Sequence, residues 1–173
     1  MSRKLILAAA FAALAAPAFS QATDGPGPNL VIEVAGAANG TVVIDLLPDV
    51  APQHVAQITA LVKEGAYDNV VFHRVIDGFM AQTGDIQYGK AGGDLSMAGM
   101  GGSDKPDIPA EFTNNLSFQR GVAGMARAQD PNSANSQFFI TFGDASFLDG
   151  QYTIVGNVVS GMEVVDAIQC GDP

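Results

Sequence analysis

Along much of this chain apolar and polar residues alternate with a period of two, and two short stretches break that pattern with a helical period. After a polar spacer at 21–28, residues 29–34 and 41–47 read as two strands joined by a turn, with Asn39-Gly40 as the turn signal. Val55, Ile58, Leu61 and Val62 then recur at helical spacing behind Pro52, and Gly65 stands where such a helix would end. Residues 70–76 and 79–84 read as a second pair of strands. The glycine-rich connection 89–109 has no period and is expected to be a functional loop. Further strands are expected at 121–125, 138–142 and 152–159, and a second helix at 162–168. The chain is thus mainly β with two helices, and it shows neither an internal repeat nor a dividing linker.

The first residues depart from this scheme. A basic start at Arg3 and Lys4 leads into an apolar run at 5–16 and small residues at Ala18 and Ser20, the order of a secretory signal spanning 1–20. The run falls well short of the roughly 20 residues that a membrane-spanning helix needs. Beyond it stand roughly 150 residues, one domain's worth with room for a substantial core. The formal charge of −10 becomes more acidic once Arg3 and Lys4 are removed. Nucleic-acid partners need clustered cations and are not expected, and neither is a membrane. A single cysteine, Cys170, allows no internal disulfide, so stability has to come from the core.

Candidate chemistry concentrates in two segments. Phe72 to Asp85 reads FHRVIDGFMAQTGD and brings together Arg74, Phe79, Met80 and Gln82. If it forms a strand, a turn and a strand, Met80 and Gln82 share a face that Arg74 reaches from the neighbouring strand. Ser136 to Phe142 reads SQFFITF and offers Gln137 and Phe139 to one face in the same way. The result is a binding surface without a nucleophile. These two motifs, in this order, resemble those of the cyclophilins, peptidyl-prolyl cis/trans isomerases, and the likeness runs from about Asn29 to Ile168.

That resemblance implies a closed antiparallel β-barrel capped by two α-helices, and a cofactor-free isomerase acting on X-Pro bonds. It places Arg74 and Gln82 in catalysis and assigns substrate contacts to Phe79, Met80, Ala126, Arg127, Gln137, Phe139, Phe147, Leu148 and Tyr152. Arg127 stands where many relatives carry Asn, Phe147 where many carry Trp, and Tyr152 where many carry His. Without the indole N–H, weak binding of the cyclic peptide cyclosporin is expected. The expected partners are proline-containing peptides and unfolded or partly folded proteins, met by a monomer in a bacterial periplasm. A proline-binding module without turnover is the alternative. Relatives usually continue past the second helix into a strand that closes the barrel, and a chain stopping at Pro173 is expected to lack it.

Several other signals are set aside. Gly84 to Ala91 mimics a phosphate loop, but Ala91 replaces the hydroxyl residue and Gly92-Gly93 opposes the helix that should follow. His54, His73 and Cys170 show no zinc spacing. His54 is expected on an exposed helix face, and His73 is expected to be structural. Asp85, Asp94, Asp104 and Asp107 fit no calcium loop and are read as solvated charges. Asn115 opens a glycosylation sequon that is read as a plain loop, and no nucleophile elbow exists.

Overall fold

The computed structural model describes residues 22–169, so the expected signal segment at 1–20 and Cys170 lie outside the described residues. The strands are β1 (Asn29–Val34), β2 (Gly40–Leu46), β3 (Arg74–Ile76), β4 (Met80–Thr83), β5 (Val122–Met125), β6 (Phe138–Thr141) and β7 (Ile154–Ser160). The helices are α1 (Pro52–Lys63) and α2 (Met162–Asp166). All seven strands join one antiparallel sheet in the order β1-β2-β7-β5-β6-β4-β3, curved into a half-barrel. Among the described residues β1 and β3 end the sheet and do not pair with each other, so the sheet is an open half-barrel there.

The period-two pattern divides the side chains between two cores. Ala81 and Phe138 pack with Val42, Ile44 and Val155 against Val55 and Ile58 of α1 and Val165 of α2. Met80, Phe139 and Ile154 project from the opposite face and pack with Phe118, Val122 and Leu148. A single residue of slip in β4 or β6 would exchange these two sets, so burial of both faces pins the register.

Local differences from the expected elements have local causes. The turn between β1 and β2 occupies 35–39, because Val34 pairs with Gly40 and the Asn39 carboxamide bridges back to Gly36 at 3.2 and 2.8 Å. Residues 70–73 are not in the ladder of β3: Val70 bridges Lys90, and the Val71 N–H donates to the Gly89 carbonyl at 2.8 Å. α1 has no side-chain cap of its own. The Glu111 carboxylate supplies one from a distant loop, accepting the Gln53 and His54 N–H groups at 3.1 Å each. This also overturns the expected exposure of His54, whose fully buried ring donates from Nδ1 to Glu111 at 2.6 Å. Burial raises the Glu111 pKa, but hydrogen bonds from the His54 ring and the two N–H groups outweigh it and hold the carboxyl below its ordinary value.

The loop 89–109 is irregular as expected, with Asp94, Asp104 and Asp107 exposed. Asp85 is not a solvated charge: it is fully buried. Among the described residues no helix is long and apolar enough to cross a membrane.

Candidate functional site

Strand register assembles the site. Arg74 on β3 lies directly opposite Gln82 on β4, Gln82 lies opposite Phe139 on β6, and Phe139 lies opposite Gly124 on β5. Directly opposed residues hold their Cβ atoms about 5 Å apart, so a guanidinium, a carboxamide and a phenyl ring form one row across three strands. Met80 shares the face of Gln82 two residues along β4, as the alternation predicts.

Gly124 ends the row for a steric reason. A Cβ there would stand 2.7 Å from Phe139 Cζ and 2.6 Å from Phe118 Cε1. The missing side chain lets Phe118 slide beneath Phe139, with ring centroids 5.6 Å apart and planes at 23°. Phe118 is fully buried, and nothing in the sequence pattern announces it, because it sits between a loop and β5 where no period marks it. Tyr152 meets Phe139 edge-on at 5.8 Å, and Phe79 packs on Phe147 at 5.5 Å. Ala126, Phe79 and Tyr152 border the same apolar cluster as Met80, Phe139 and Leu148. Phe147 is 63% exposed and forms a rim, whereas Leu148 is buried. The turn Ser146–Leu148 that carries both is anchored through Asp149, which accepts the Phe118 N–H at 2.8 Å and the Ser117 hydroxyl at 2.5 Å.

The polar groups are held with equal definition. Gln82 Nε2 donates to Gln137 Oε1 at 2.9 Å. Gln137 Nε2 in turn donates to the carbonyls of Gly99 and Gly101 at 2.9 and 2.7 Å. Arg127 contributes differently from the other candidates. Its guanidinium lies 4.5 Å from the Tyr152 ring centre and donates to the carbonyls of Gln151, Ala128 and Gln129. It braces the wall that Tyr152 forms.

His73 is buried beneath this surface, beside the Gln137 side chain and the Asp85 carboxylate. Burial lowers its pKa, with the Asp85 carboxylate opposing the shift. Asp85 lies deeper still. Oδ1 accepts the N–H groups of Gln87 and Tyr88 at 3.0 and 2.9 Å, and Oδ2 accepts those of Gly99 and Gly101 at 2.7 and 2.9 Å. No sequence period announces such an acceptor, although the glycines around it are a signal of close backbone approach.

A groove of about 600 Å³ lies elsewhere, along β1, between Val31, Val62, Phe72 and Ile168. It shares no residue with the row from Arg74 to Gly124. The row remains the better candidate because hydrogen-bonded polar groups stand on it beside the apolar cluster of Met80, Phe139 and Leu148, with Phe147 exposed at the edge. Among the described residues no cluster of His, Cys, Asp and Glu could hold a metal ion.

Residues 30–172 match the family model described as "Cyclophilin type peptidyl-prolyl cis-trans isomerase/CLD", and the chain belongs to that family. It is 55% identical over 171 residues, covering 98% of this chain and 86% of that protein, to a Brucella suis protein named "Probable peptidyl-prolyl cis-trans isomerase". It is 38% identical over 139 residues to peptidyl-prolyl cis-trans isomerase B of Escherichia coli, covering 76% of this chain and 79% of that one. A cyclophilin-type isomerase of Cryptosporidium parvum, solved in the presence of the dipeptide Ala-Pro, superimposes with a TM-score of 0.64 at 30% identity, covering 73% of this chain and 79% of that one. Cyclophilin AquaCyp293 of Hirschia baltica gives 0.63 at 29% identity, covering 78% of this chain, which spans 65% of that one.

Proposed function

We propose that the row from Arg74 to Phe139 is where this cyclophilin-type isomerase rotates X-Pro bonds in peptides and folding proteins. Rotation about such a bond meets a barrier near 18–20 kcal/mol because amide resonance must be broken. No covalent bond is cut, so the surface needs no nucleophile. The pyrrolidine lies in the recess of Phe79, Met80, Phe139 and Leu148, with Phe147 and Tyr152 at its rim. Gln82, Gln137 and Ala126 hold the peptide backbone. As the amide twists, its nitrogen regains a lone pair, and the Arg74 guanidinium donates to that nitrogen or to the neighbouring carbonyl. Such a bond is stronger in the twisted state than in the planar one, which is the condition for catalysis.

The observation that carries this reading is the register that sets Arg74 opposite Gln82, next to the apolar cluster of Met80, Phe139 and Leu148. A hydrogen bond to a charged group contributes about 1.5–3 kcal/mol, and each tenfold in rate takes about 1.4 kcal/mol. Arg74→Ala should therefore lower kcat/KM by about one to two powers of ten, with the rest of the acceleration left to the dry recess. Cis-to-trans exchange of a short X-Pro peptide, followed by NMR, measures it. Equal rates for the two proteins would remove Arg74 from the mechanism.

The same proposal extends to setting and partners. The basic start and apolar run of residues 1–20 support export to a periplasm, where unfolded clients would be met by a monomer. The missing indole at Phe147 supports weak cyclosporin binding. The antiparallel half-barrel, with β1 and β3 as its edges among the described residues, supports the closed cyclophilin-like barrel that the resemblance implies.

A further inference from the structure

We infer that Asp85 is a positioning residue for the isomerase site, acting through the backbone of Gly99 and Gly101 on Gln137 and through Gln137 on Gln82. The inference rests on the proposed roles of those two glutamines, and every link is a hydrogen bond. Asp85 Oδ2 accepts the N–H of Gly99 at 2.7 Å and of Gly101 at 2.9 Å. The carbonyls of the same two residues accept both protons of the Gln137 amide, at 2.9 and 2.7 Å. With its donors committed, Gln137 turns Oε1 toward Gln82, which donates to it at 2.9 Å and stands opposite Arg74.

The geometry favours this path over a merely local role. Asp85 follows β4 by two residues and is fully buried, and the donors that hold it are backbone N–H groups. Two of them come from residues 14 and 16 positions away. A buried carboxylate costs stability unless such donors surround it. An apolar residue would avoid that cost but could not gather two loop amides. Burial raises the Asp85 pKa, but the N–H groups outweigh it and hold the carboxyl below its ordinary value, so the acceptor stays ionised. Gly101 fits closely: a Cβ there would stand 2.5 Å from Asp85 Oδ1 and 2.8 Å from Tyr88 Cδ2.

The link can be cut from either side. Asp85→Asn sets an amide N–H₂ against backbone N–H groups whichever way it turns, and Gly101→Ala forces the loop off an intact carboxylate. Asp104→Asn, on the exposed part of the same loop, serves as the control. Each variant, in the full chain, is assayed for X-Pro exchange and for the side-chain amide ¹H–¹⁵N resonances of Gln82 and Gln137. Effects relayed through intermediates of this kind amount to roughly two- to thirtyfold. Asp85→Asn and Gly101→Ala should each lower kcat/KM within that range and shift both amide resonances, while Asp104→Asn changes neither. Added to Gln137→Ala, Asp85→Asn should cost no further activity. Unmoved amide resonances in a folded variant would overturn the inference, as would a full additional loss in the double variant. If Asp85→Asn does not fold, Gly101→Ala decides by the same readouts. The resonances report on positioning even in a protein without turnover, so failure of the proposed activity is distinguishable from failure of this link.

Discussion

Gly124→Ala tests the stacking of Phe118 on Phe139 that underlies the proposed apolar recess. The added methyl would stand 2.6 and 2.8 Å from two carbons of Phe118 and 2.7 Å from Phe139 Cζ, all well inside van der Waals contact. Neither ring can retreat freely, because Phe118 is fully buried and Phe139 is 4% exposed with Tyr152 edge-on against it. Overpacking of this kind costs about 1–3 kcal/mol. The smaller conformational freedom of Ala in the unfolded chain returns roughly 0.4–1 kcal/mol. The net loss, about 1.3 kcal/mol at the centre of these ranges, should lower the melting temperature by roughly 3–5 °C in a domain of this size. Phe139, displaced into the recess, should weaken kcat/KM for an X-Pro peptide as well. Thermal denaturation followed by circular dichroism gives the first number, and exchange kinetics give the second. Phe118→Leu makes room for the methyl, so the double variant should be more stable than the sum of the two single losses predicts. An unchanged melting temperature with full activity would refute the packing account, as would simple additivity in the double variant.

Two further predictions concern acid stability and the rim. His73 has a lowered pKa, so its contribution is complete above the unfolded value of 6.5 and is lost as pH falls below it. Asp85 and Glu111 are also lowered, from 3.8 and 4.5, so their contributions persist above those values and disappear as pH falls through the folded ones. Urea midpoints measured against pH should therefore decline in two stages, and His73→Phe should abolish only the upper one; an unchanged upper stage in that variant would count against the assignment. Phe147→Ala, at an exposed rim position, should alter stability by less than about 0.5 kcal/mol while raising KM, and Phe147→Trp should tighten cyclosporin; calorimetry and exchange kinetics check both.

The parts of the site that can be read from the sequence are those governed by alternation. Met80 and Gln82, or Gln137 and Phe139, must share a face wherever they form strands, and opposed register does the rest. What escapes depends on partners remote in sequence. His54 lies in the first turn of α1 and reads as polar surface, but its ring and N–H turn to a carboxylate 57 residues away. Asp85 reads as a loop charge because its partners are main-chain groups, which every residue carries alike. Phe118 has no period to mark it, and the space it fills exists only because Gly124 faces it. Arg127 is a substrate contact by resemblance, but the hydrogen bonds of its guanidinium go to carbonyls of 128, 129 and 151, which the sequence does not reveal. That β1 and β3 stand at the ends of the sheet follows from the order of all seven strands, which strand patterns within single segments do not express.

The row from Arg74 to Gly124 draws each of its members from a different strand, and the Gln82–Gln137 hydrogen bond spans 55 residues. Pairings so distant in sequence carry a large loop-closure cost and form late. During synthesis Arg74 and Met80 emerge well before Phe139 and Tyr152, so a growing chain carries one half of the proposed site without the other. The proposed site is therefore complete only when the sheet itself is nearly complete, so a half-folded copy would carry parts of the site without the whole.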